Sequence, residues 1–189
     1  MKEILITFVH GYEDLNINLA DMNRPSLWKC SLEGKGKSYS YPFPRNPEDF
    51  YCKHELIKGE MPSRSLPDFK KLPRFGFTGI SSYGDHFFAG AWNAVYKIQK
   101  HDLKLDSILS NRLMNDMHGI WVDDCGILTI LTSKDTVVLT DFDGSIKEFF
   151  TIMPDLSVIK DEKLINEDWR FNSKQFRGSA GIWHFNNIQ

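Results

Sequence analysis

Between residues 77 and 150 apolar and polar side chains alternate in short runs, and the runs form two sets of four. The first set is Phe77–Ile80, His86–Trp92, Ala94–Ile98 and Leu105–Leu109. The second is His118–Val122, Ile127–Thr132, Thr136–Thr140 and Ser145–Phe150. Alternation of this kind sends successive side chains to opposite faces of a strand. The pairs Gly79-Ile80 and Gly119-Ile120 open the two sets, 119 − 79 = 40 positions apart. Four short strands in about 40–45 residues is the spacing of a propeller blade. Within the second set Ile120, Val122, Leu128, Ile130, Val137 and Leu139 are expected to face neighbouring blades. Asp123-Asp124-Cys125-Gly126 and Asp141-Phe142-Asp143-Gly144 carry the turn chemistry of hairpins.

The rest of the chain is less regular. Residues 3–9 read as a first strand, and Leu27–Leu32 and Lys37–Tyr41 as two more, joined by the turn Glu33–Gly36. A blade over 3–43 results. Pro42, Pro44, Pro47, Pro62, Pro67 and Pro73 then break up regular structure, because proline gives no donor to a ladder. Residues 44–74 are therefore expected as a loop insertion with a short helix near Pro47–Phe50. Phe43, Phe50, Tyr51 and Phe69 would pack it down on the body. Blades follow at 75–110 and 115–152. Residues 153–177 read as a second insertion, with a helix starting at Pro154-Asp155 and running through Ile165. Gly181-Ile182-Trp183 then repeats Gly119-Ile120-Trp121 and opens a further blade at 178–189.

The fold expected for 1–189 is thus a single all-β domain. It is a partial β-propeller of about three four-stranded blades, with one loop insertion and one short helical insertion. A ring of blades needs about four to close. A homo-oligomer or a second propeller-completing chain is the expected remedy. A fragment of a longer propeller and an open arrangement are the alternatives.

Thr78-Gly79-Ile80, Met117-His118-Gly119-Ile120, Asp168-Trp169-Arg170 and Gly181-Ile182-Trp183-His184-Phe185-Asn186 resemble the repeat openings of NHL-like six-bladed propellers. The likeness is to an uncharacterised subgroup with a His-Gly-Ile opening and a helical insertion. It covers about residues 75–189, the first 74 matching loosely, and it implies only the N-terminal half of such a propeller. The Glu, Asn and Asp metal ligands of lactonase-type propellers map onto no positions here. The resemblance implies a fold and leaves function open.

Charge and composition narrow the partners. Lys and Arg total 23 against 25 Asp and Glu, a net charge of −2, which argues against a nucleic-acid partner. No run of about 18 apolar residues exists, so no membrane partner is expected. Three cysteines, Cys30, Cys52 and Cys125, form no Cys-x-x-Cys pair, and the expectation is a reducing, cytoplasmic setting.

Candidate chemistry gathers where innermost strands begin. His118 opens one such strand, preceded by Asn115 and Asp116, while His184 and Asn186 lie on another and His10 ends the first. Imidazole and carboxylate suit a divalent metal, which His118 and His184 would hold while it activates water. The plainer role for a histidine beside a blade-opening glycine is a hydrogen bond to the next blade's backbone. Asp168, Trp169, Arg170 and Arg177 form a candidate polar rim for a ligand or partner. Trp92, Trp121, Trp169 and Trp183 could line an aromatic pocket, although the matched positions of Trp121 and Trp183 favour blade packing.

Three functions follow. The first is a propeller-type binding or assembly module with its ligand at the channel mouth. The second is a metal-assisted lactonase- or esterase-like hydrolase using His118, His184 and Asp116. The third is a lectin-like propeller.

Overall fold

The computed structural model describes residues 3–7, 9–10, 24–31, 35–67 and 75–171. The expected strand at 181–185, with His184 and Asn186, lies outside them, as do Phe69 and Arg177. The described residues are dominated by antiparallel β-structure in three main sheets.

The first sheet has three strands, β1 (Glu3–Thr7), β3 (Ser26–Ser31) and β4 (Gly36–Ser40), in the order β1-β3-β4. Short β2 (Val9–His10) pairs with β6 (Phe75–Gly76). The second sheet is the meander β7 (Gly79–Tyr83), β8 (His86–Gly90), β9 (Val95–Gln99) and β10 (Leu105–Ser110). The third is the meander β11 (Met117–Asp123), β12 (Gly126–Leu131), β13 (Thr136–Thr140) and β14 (Ile146–Ile152).

The four-strand count falls one short in both meanders. A fifth strand, β5 (Ile57–Gly59), joins β10 in parallel, with Ile57 opposite Ile108. It comes from the region expected as a loop insertion, so that region is part sheet. A fifth strand in the third sheet, β15 (Val158–Ile159), pairs antiparallel with β14. The helix expected over 154–165 is replaced by this strand and a single 3-10 turn, Leu164–Asn166. Asp155 and Asp161 explain the replacement: each carboxylate accepts the backbone N–H two residues on, from Ser157 and Lys163, at 3.0 and 3.1 Å. Such Asx turns compete with helix for the same backbone.

The helix near residue 47 forms as expected. Helix α1 (Pro47–Cys52) starts on Asn46, whose side chain accepts from the Asp49 N–H at 2.8 Å, with proline in the first turn. Phe50 is its buried anchor, meeting Phe171 edge-on at 5.7 Å. The preceding proline-rich stretch is held down by side chains seeking acceptors. Tyr96 donates to the Pro42 carbonyl at 2.7 Å, and the Asn93 amide to that of Pro44 at 3.2 Å. Tyr41, Phe77 and Tyr96 pack ring on ring between the first and second sheets. Burial pushes the Tyr96 and Tyr41 hydroxyls well above the ordinary tyrosine value.

The second and third sheets share another core, built from Phe88, Val95 and Leu109 on one side and Ile120, Val122, Ile127, Val138 and Phe149 on the other. Their first strands, β7 and β11, lie side by side. Thr78 donates to the Met117 carbonyl, the Val122 N–H to Ser81 Oγ at 3.1 Å, and the Tyr83 hydroxyl to Asp124 at 2.6 Å. Partners therefore advance together along the two strands, at offsets of 39, 41 and 41 residues. The approach at Gly79 is close: a Cβ at this position would stand 3.2 Å from Ile120 Cγ2.

The six apolar residues expected to face neighbours divide between two faces of the third sheet. Ile120 and Val122 point at the second sheet. Cross-strand register puts Leu128, Ile130, Val137 and Leu139 on the opposite face, together with Trp121 and Phe150. No helix among the described residues is long and apolar enough to cross a membrane.

Candidate functional site

The connection from β10 to β11 and the one from β12 to β13 meet at one end of the third sheet. Asp116 stands there with φ +48°, in the left-handed region that asparagine and aspartate tolerate better than most residues. That turn aims its carboxylate at two partners. Oδ1 lies 3.2 Å from His118 Nε2, and Oδ2 accepts the Thr132 hydroxyl at 2.6 Å. The Asp116 carbonyl accepts both the Thr132 N–H and its hydroxyl, each at 3.1 Å. Asn115, fully buried beside it, donates its amide to the Trp169 carbonyl.

The structure thus joins two of the expected site residues, Asp116 and His118, and adds Thr132, while the Asn115 amide is spent on the Trp169 carbonyl. The side chain of His118 is 25% exposed and that of Asp116 is more buried, so the imidazole is the member presented to solvent. A histidine backed by a carboxylate can bind a polar ligand or pass a proton. Thr132 donates its hydroxyl to the carboxylate and so helps to fix Asp116 in place. Among the described residues no three His, Cys, Asp or Glu side chains converge as a metal site.

Trp169 and Arg170 do not form an open rim. The Trp169 indole is buried, donating to the Leu164 carbonyl at 2.9 Å, and Lys134 lies 3.9 Å above its ring. Burial lowers the Lys134 ammonium below the ordinary lysine value, a bias that the Glu167 and Asp161 charges oppose. Arg170 is 0% exposed. It forks onto Asp168, through Nε at 2.8 Å and through Nη2, and its Nη1 donates to the Glu60 carbonyl and to Ser110 Oγ at 3.4 Å. Arg112 clasps the Glu60 carboxylate through Nε, at 2.8 and 3.0 Å, and through Nη2, and reaches the Ile165 carbonyl at 2.7 Å. These two arginines tie β5, the β10–β11 connection and the 160s segment into one knot. Periodicity gave no signal for Glu60 or Thr132, because their roles rest on contacts 52 and 16 residues away.

Burial alone would raise the Glu60 carboxyl. The hydrogen bonds and charge of Arg112, with the charge of Arg170, outweigh burial and hold Glu60 below the ordinary 4.5. A carboxylate depressed in the folded state adds stability above its unfolded value, and that stability is lost as pH falls through the folded one. Urea midpoints are therefore expected to decline below pH 4.5, and Glu60→Gln to flatten that decline. Parallel pH profiles for the two proteins would contradict the assignment.

Of the four tryptophans expected to line a pocket, Trp183 lies outside the described residues. Trp121 projects from the outer face of the third sheet, Trp169 is buried and Trp92 half-buried. Asp123, Asp141 and Asp143 shape turns, accepting the N–H of Cys125, Phe142 and Ser145 at 2.8, 2.8 and 2.9 Å. Compared with known proteins, the chain matches no family model and no curated protein sequence.

Proposed function

We propose that the three sheets are successive blades of a partial propeller, and that the chain is a binding and assembly module whose third blade is covered by a second copy. The side-by-side first strands of the second and third sheets, advancing with offsets near 40, support the blade succession. The observation that carries the assembly reading is the outer face of the third sheet. Register groups Trp121, Leu128, Leu139, Val137 and Phe150 on that face, with Trp121 49% and Phe150 39% exposed. A contiguous apolar face with a large aromatic in it is the usual make-up of a protein interface.

His118, with Asp116 and Asn115 behind it, is the polar group offered to a ligand at the end where the inner strand begins. The hydrolase reading draws on the His118–Asp116 pair alone, its other histidine, His184, lying outside the described residues. Cys30, Cys52 and Cys125 are all free thiols, two of them exposed, which fits a reducing compartment. Light scattering tests the assembly reading: the molar mass is expected at a multiple of 21.9 kDa.

A further inference from the structure

Each sheet has two faces, and register assigns every strand residue to one of them. Toward the second sheet the first turns Leu5, Leu27 and Tyr39, and the second meets them with Ile80, Ala89 and Tyr96. Toward the third sheet the second turns Phe88, Val95 and Leu109, and the third meets them with Ile120, Val122 and Ile127. Ile80 and Ile120 hold the same place in their sheets, one residue after the opening glycine. Both contacts therefore join the leading face of one sheet to the trailing face of the next.

One face remains at each end of this succession. The leading face of the third sheet carries Trp121, Leu139 and Phe150, with Trp121 49% exposed. The trailing face of the first carries Ile4, Ile6 and Trp28 beside Ser26, Ser38 and Ser40, with Ile4 41% exposed. Ile4, Ile6 and Trp28 belong to neither of the two cores that the described residues form.

Charge selects the surface that fits the third sheet. Strands β11 to β14 place two carboxylates on its leading face, Asp123 and Glu148, both exposed, and no cation. Two such faces set against each other would crowd their carboxylates together with nothing to balance them, which like-charge repulsion opposes. The trailing face of the first sheet has no charged residue in its paired registers. Ser38, exposed in the row of Ile6 and Trp28, offers a hydroxyl that a carboxylate can accept from.

We propose that the second copy covers the leading face of the third sheet with the trailing face of its own first sheet. The same contact made in return closes the three main sheets of each copy into one six-sheet ring about a two-fold axis. Six lies within the range of closed propellers, and a contact between unlike faces terminates only by closing such a ring. This rests on the blade succession and the assembly reading above, and it names the surface that the partner copy brings.

Complementation in the full-length chain tests it, read by light scattering and native mass spectrometry. Trp121→Asp damages only the leading face and Ile4→Asp only the trailing one. Each variant alone is expected at 21.9 kDa, because every contact in a pure variant has one damaged side. In an equal mixture, the sound trailing face of one variant meets the sound leading face of the other. A mixed two-chain species is then expected, heavier than either variant alone and held by one contact. Ser38→Glu changes an exposed side chain of the trailing face and leaves both cores intact, so it repeats the test should Ile4→Asp unfold. It is expected to weaken association about tenfold. If Ile4→Asp and Ser38→Glu keep the wild-type mass, or the mixture is no heavier than its parts, this inference is overturned and the assembly reading stands. A wild type at the single-chain mass at every concentration removes both.

Discussion

Arg170→Ala is expected to cost about 3–5 kcal/mol of folding stability, the penalty for leaving a buried charge without its partner. The guanidinium is fully buried and satisfies the Asp168 carboxylate, the Glu60 carbonyl and Ser110 Oγ, with the Phe50 ring 5.6 Å away. Alanine leaves Asp168, whose side chain is only 15% exposed, with the residue-170 backbone N–H but without the guanidinium fork. Arg170→Lys keeps the charge but not the fork, and should recover only part of the loss. Removing both partners in Arg170→Met with Asp168→Leu should cost less than the sum of the single changes. The measurement is the urea midpoint at unchanged slope. A loss below about 1 kcal/mol would place the pair with surface ion pairs and sink this account of the knot.

The second large effect compares two equivalent positions. Phe88 lies opposite Ser81 as Leu128 lies opposite Trp121, so both project from the same side of their sheets. Phe88 is buried in the core between the second and third sheets, 5.9 Å from the Phe142 ring. Leu128 is half-buried on the outer face. Phe88→Ala should therefore cost about 3–5 kcal/mol, through lost transfer energy and a cavity. Leu128→Ala should cost less than about 2 kcal/mol in the dissociated chain, because less surface is withdrawn from water. Its cost should grow with protein concentration as the face becomes covered. Equal, concentration-independent losses at both sites would mean that the two faces are covered alike.

The two meanders were legible because local signals agreed. Alternating side chains, the Asp-Gly turns at 123–126 and 141–144, and the repeated Gly-Ile opening all point to the same strands. β5 was not legible. Ile57-Lys58-Gly59 is too short for a period, and its pairing with β10 spans some fifty residues. The 160s helix failed on a competition that composition hides, since Asp155 and Asp161 spend their carboxylates on turns. In β13, Thr-Val-Val-Leu-Thr carries apolar residues on both parities, so the pattern alone could not choose a buried face. Register chooses Val138, and the threonines beside it on β12 and β13 are buried with their hydroxyls on carbonyls, Thr129 on Val138 and Thr140 on Ile127, at 3.3 Å each.

At the candidate site, sequence adjacency brought out Asn115, Asp116 and His118; the left-handed turn at Asp116 brings its carboxylate to His118, while Asn115 reaches Trp169. Thr132 and the closed knot around Arg170 depend on how distant connections fold over one another. Charge in a sequence looks like surface until its partners are known. Arg170 was a rim candidate on those grounds, and its partners Asp168, Glu60 and Ser110 enclose it.

The exposed part of the third sheet's outer face is expected to be an interface between copies of this chain. Light scattering across a range of concentrations tests it most directly. The mass is expected to rise to a multiple of 21.9 kDa, and to return to the single-chain value on Trp121→Asp. A wild-type mass of 21.9 kDa at every concentration, unchanged by that substitution, would contradict it.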